Sequence, residues 1–167
     1  NGETEKPFGD EDVGRAAREK SRELPEDEPF CMYVGTLGPH DPYIVPEKYL
    51  ELYPLEEIEL PESFEDDLMD KPNLYRRTQK RFRQLTREEQ KRCLQHYLAF
   101  CSYEDALFGE ILKELEDRTL LDRTIVIYLS DHGEYAAAQG LWTKARPCFE
   151  EADAICSVGV YGGIRVE

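Results

Sequence analysis

The chain has 167 residues, 40% of them hydrophobic and 11% aromatic, enough apolar side chains for one folded domain or part of one, which excludes a disordered or collagen-like polymer. Its 21 Lys and Arg face 36 Asp and Glu, a net charge of -15, and nucleic acid, which is bound through a basic face, is not an expected partner. No run reaches the roughly 18 apolar residues of a membrane-spanning helix, so no membrane span is expected.

Residues 1–29 carry ten acids and five bases with scattered apolar positions, and Pro25 and Pro29 close the segment. It reads as a charged surface or poorly ordered stretch in which AAREKSREL forms a short surface helix. The opening NGETEKPFGDEDVG lacks the basic and apolar stretches of a secretory leader, and a start at Asn1 reads as a cut. Residues 30–37, FCMYVGTL, form a compact apolar run between Pro29 and Gly38-Pro39, the pattern of a buried strand.

GPHDPYIVP follows, with three prolines that fix φ and offer no N–H, which predicts an ordered loop. Pro46 fits the first turn of a short helix, PEKYLELY. Residues 47–73 hold ten acids and two bases, whereas 74–92 hold eight bases and two acids. The expectation is a solvated, charged helical excursion at 47–92 whose halves offset each other; a charged binding tail is the alternative.

Thr86 and Glu89 stand at capping-box spacing, so a long helix should begin there. Leu94, Tyr97, Leu98, Cys101, Phe108, Ile111, Leu112 and Leu115 recur at steps of three and four and mark its packing face, while His96 lies off that stripe and reads as a surface residue. The helix should end near Asp117. Residues 124–130, TIVIYLS, are rich in β-branched side chains and read as the clearest strand in the chain. Two strands separated by a long amphipathic helix predict an α/β fold, a sheet flanked by helices, with ligands beyond the carboxyl ends of the strands.

That geometry directs attention to two loops. Asp131 and His132 follow the second strand and offer an oxygen and an imidazole nitrogen to one cation, although Asp131 could equally cap a helix starting there. His40 is held between Pro39 and Pro42, placed to bind an anion or protonate a leaving group. Lys144, in GLWTK, adds a compact positive charge suited to a sulfate or phosphate oxygen. The five cysteines, Cys31, Cys93, Cys101, Cys148 and Cys156, contain no C-x-x-C pair and read as reduced, mostly buried thiols, which leans toward a cytoplasmic setting.

Taken together, FCMYVGTLGPHDPYIVPEKY, CSYEDALFGEILKELED, TIVIYLSDHGE and GLWTK followed by CFEE resemble the sulfatase family of the alkaline-phosphatase-like superfamily, in order and in spacing. The resemblance implies that residues 30–167 are a partial sulfatase-like catalytic domain acting on sulfate esters, or alternatively on phosphonate or phosphodiester substrates. It implies Asp131 and His132 as ligands of a divalent cation (Ca2+, Mg2+ or Mn2+), and His40 and Lys144 as catalytic, sulfate-binding groups. The family's attacking group is a formylglycine made within C-x-P-S-R or its serine version, and no such string occurs here. The sequence therefore looks like the later part of the catalytic domain, inactive alone or a non-catalytic remnant, with sheet edges uncovered and open to self-association.

Overall fold

The computed structural model describes residues 2–3, 9–25, 27–144 and 159–161. Helices dominate: α1 (Asp10–Glu23), α2 (Glu47–Leu50), α3 (Asn73–Phe82) and α4 (Arg87–Asp117). The strands are short. β1 (Gly2–Glu3) runs parallel to β2 (Ile44–Val45), and β3 (Val126–Tyr128) runs antiparallel to β4 (Gly159–Tyr161), with Ile127 opposite Val160.

The long helix forms for the reason its sequence states. Thr86 Oγ1 accepts from the Glu89 amide and the Glu89 carboxylate accepts from the Thr86 amide, so two otherwise unpaired N–H groups are satisfied reciprocally. The buried face, however, is shifted around the helix from the expected stripe. Leu94, Ala99, Phe100, Tyr103 and Leu107 are buried, whereas Tyr97, Phe108 and Ile111 are only half-buried. His96 is buried as well, against the expected surface position, because its Nδ1 donates to the Tyr43 carbonyl at 3.2 Å. Burying an imidazole is tolerable once a ring N–H has such an acceptor.

The helix read within AAREKSREL extends over all of α1 and docks on α4. Gly14 permits the approach, since a Cβ there would already touch Leu107 Cδ2 at 3.6 Å. Arg18 pairs with Glu110 at 2.9 Å, Arg22 with Glu114 at 2.6 Å, and the Arg118 guanidinium donates to the Ser21 carbonyl and, at 2.8 Å, to that of Leu24. Exposed pairs of this kind each contribute only about 0–1 kcal/mol, so the buried Ala17 and Leu107 do most of the docking.

Two sequence expectations are corrected. Residues 30–37 form no strand; they have no regular secondary structure and are largely exposed, with Tyr33 at 88%. The 124–130 run contributes only the three residues of β3, and Ile127 remains 56% exposed. A strand needs a ladder partner and cover on one face, and these segments do not pair with each other. The layered α/β sheet is accordingly not found among the described residues, which are mostly helical. Cys31 is exposed and Cys93 and Cys101 half-buried, rather than mostly buried thiols; Cys148 and Cys156 lie outside the described residues.

The charged excursion folds back on the rest of the chain. Gln79 of α3 is buried, and its Nε2 donates to the carbonyls of Asp66 and Gln139 at 2.6 and 2.8 Å. Leu68, Tyr75, Tyr135 and Leu141 form a small apolar cluster beside it. The main core joins Tyr43, Val45 and Ile58 to α4 and to Ala137 and Trp142.

Candidate active-site loops

The loop at 38–46 is fixed at both ends. At its start the Asp10 carboxylate accepts from the Leu37 and Gly38 amides, each at 2.9 Å. Further on, Tyr43 is buried with its ring 5.5 Å from that of Tyr97 and 6.0 Å from that of Trp142. Between these anchors His40 stays exposed, flanked by cis peptide bonds into Pro39 and Pro42. Its Nδ1–H donates to the Asp41 carbonyl at 2.6 Å, which leaves the Nε2 lone pair free.

The loop after β3 meets this one. The rings of His40 and His132 lie 5.7 Å apart, edge to face at 81°. His132 Nδ1–H donates to the Gly133 carbonyl at 2.9 Å, and its Nε2 is 3.9 Å from Asp131 Oδ1. The Asp131 side chain is 89% exposed. No helix begins at Asp131, so its alternative reading as a helix cap is not realised.

Lys144 enters through a turn in the backbone. Glu134 and Lys144 form an antiparallel bridge, supported by the Tyr135 amide donating to the Thr143 carbonyl at 3.1 Å. The intervening residues close a tight turn with left-handed backbone at Ala136, Ala137, Gln139, Gly140 and Thr143. Each such non-glycine residue costs roughly 1 kcal/mol, and buried contacts offset it. Trp142 Nε1–H donates to Gln90 Oε1 at 2.5 Å, and Gln90 Nε2 donates to the Phe82 carbonyl at 2.7 Å. The exposed Lys144 thus leaves a backbone pinned to α4 through Trp142, two residues before it, and its bridge partner Glu134 follows His132 and Gly133. Burial raises the Glu134 carboxyl above its ordinary range, against the opposing Ala136 amide that donates to it at 3.2 Å.

His40 and His132 are therefore side by side, Asp131 neighbours His132, and Lys144 shares a backbone bridge with Glu134. A divalent cation fits this donor set in part. The hydrogen bond at His132 Nδ1 orients the ring and leaves Nε2 as a lone-pair donor. Two atoms each about 2.0–2.4 Å from one ion can stand 3.9 Å apart, so Asp131 and His132 can share one. Among the described residues, no group of three His, Cys, Asp or Glu side chains converges to complete such a shell.

Sequence reasoning missed the groups that hold these loops: Asp10, Tyr43, His96, Gln90 and Trp142. Their partners lie far away in the chain, and no local spacing encodes them. The lone tryptophan and the tyrosine between two prolines were the available signals.

The Sulfatase family model matches residues 10–153, and the chain belongs to the sulfatase family. Relatives include a sulfatase of Formosa agariphila, 33% identical over 123 residues, 70% of this chain and 24% of that protein. A choline-sulfatase of Rhizobium meliloti is 32% identical over 146 residues, 81% of this chain and 28% of its own length. The human arylsulfatase K is 36% identical over 124 residues, 65% of this chain and 23% of its own. The chain thus spans about a quarter of the length of these relatives.

Proposed function

We propose that this chain supplies the cation-facing and sulfate-facing side of a sulfuric ester hydrolase site. Asp131 and His132 hold a divalent cation, which when bound draws negative charge toward it and polarises the ester. His40 presents Nε2 to the sulfate or the departing oxygen, and Lys144 adds a fixed positive charge for a sulfate oxygen. In a chain of net charge -15 an anionic ester is repelled unless such groups reverse the sign locally. What supports the reading best is the approach of His40 to His132 at 5.7 Å, because 92 residues separate them in sequence.

The attacking group, a formylglycine in this family, comes from outside these residues, and the 167-residue chain by itself is inactive. Turnover of an aryl sulfate by the full-length protein, lost on chelation and reduced at least 100-fold by His132→Ala, is the expected result. Full-length protein that turns over aryl phosphonate but not aryl sulfate would replace the reading with its phosphonate counterpart. Metal-dependent sulfatase activity in the isolated chain would overturn its incompleteness.

A further inference from the structure

Asp10 is buried to 1% exposure at the first turn of α1, where an acid ordinarily faces its own helix amides. Its carboxylate instead crosses to another segment. Oδ1 accepts from Leu37 N–H and Oδ2 from Gly38 N–H, a two-pronged grip on consecutive amides. The next residues form a turn in which the His40 amide donates to the Leu37 carbonyl at 3.1 Å. Leu37 therefore has its amide held by Asp10 and its carbonyl by His40.

The other side of the turn is closed. A Cβ on Gly38 would overlap Glu104 Oε1 and would lie 2.6 Å from Phe100 Cε2. The peptide at Gly38 is thus seated between the Asp10 carboxylate and the α4 side chains, with no space to shift toward the helix. Hydrogen bonds from N–H groups to a buried carboxylate are worth about twice neutral ones, which suits them to fixing a backbone.

We propose that Asp10 is a positioning residue for His40: by gripping the Leu37 and Gly38 amides it sets where the imidazole stands relative to His132. The geometric claim is independent of the reaction; its catalytic consequence rests on the role proposed above for His40.

The test uses the three histidines of the chain, His40, His96 and His132, as separate NMR probes in the imidazole region, with His40 assigned through His40→Gln. Asp10→Ala should displace and broaden the His40 resonance, and Asp10→Asn, which retains one acceptor oxygen, should give an intermediate displacement; His96 should stay in place in both. Arg18→Ala is the control, since it loosens the docking of α1 at Glu110 without touching the turn, and it should leave His40 unchanged. If Asp10→Ala does not fold, Asp10→Asn reads the same contact. A His40 resonance unmoved in a folded Asp10 variant overturns the proposal, and so does an equal displacement in Arg18→Ala.

A second readout follows in the full-length protein with an aryl sulfate. Asp10→Asn should lower kcat by about 10–100-fold, with partial recovery expected only where an acceptor is retained relative to Asp10→Ala. Absence of turnover in the unmutated protein would count against the hydrolase reading alone, because the histidine resonances still decide the positioning role.

Discussion

The proline-rich loop at 38–46 and the apolar run at 124–130 reverse what their compositions suggest. The loop is polar and rich in turn-formers, yet Tyr43 and Val45 are buried and its ends are tied to α1 and α4. The run is the most strand-like stretch of the sequence, yet Ile125, Ile127 and Leu129 are more than half exposed. Burial in this protein follows the partners a segment finds, and hydropathy alone does not provide them.

Substitutions can sharpen or break that contrast. Tyr43→Ala should be the most damaging, because it empties a space shared with Tyr97 and Trp142; a loss of about 3–5 kcal/mol in denaturant unfolding is expected. A loss below about 1 kcal/mol would mean that the loop is not anchored as described. Gln90→Leu strands the Trp142 N–H and the Phe82 carbonyl together, with an expected loss of about 1–3 kcal/mol.

A pH-dependent effect should come from Glu104. Burial is the main cause that lifts its carboxyl to about 7, with the neighbouring Asp10 carboxylate adding to the rise and Thr36 opposing it. The charged or titratable groups around it are Asp10 on α1, Cys101 and Tyr103 on α4 and Tyr128 on β3, none of them a base. A carboxyl raised in the folded state binds its proton more tightly there than when unfolded. Its contribution is therefore complete below about pH 4.5 and is lost as pH rises through about 7. Glu104→Gln should flatten the thermal stability profile across that window, and an unchanged slope would refute the assignment. Ile127→Ser should matter least, within about 0.5 kcal/mol, since the side chain is already in water.

The sequence was most readable where interactions are local. The capping box and the helix it starts, Thr86 to Asp117, follow from residues three and four apart, and α4 runs to the expected end. The loop that bears His40 is legible as a non-helical segment, because proline acts within a few residues, whereas Asp131-His132 reads equally as a ligand pair or as a helix start, and no helix forms there. The strands were less readable, since a ladder depends on what lies alongside: residues 30–37 have the right side chains and no ladder partner among the described residues. The contacts behind the candidate site were least readable of all. Trp142 meets Gln90 across 52 residues, His96 meets Tyr43 across 53, and Asp10 meets Leu37 across 27. None of those pairs leaves a periodic trace.

Gln90 uses one carboxamide for two errands, accepting from the indole on one side and donating to the end of α3 on the other. The acidic and basic stretch between α2 and α4 consequently acts as a splint for the segment that leads to Lys144, which Gln79 also holds at the Gln139 carbonyl. Trimming that stretch to shorten the protein would misalign a distant ammonium group, because Ile58, Leu68, Tyr75 and Gln79 within it are buried.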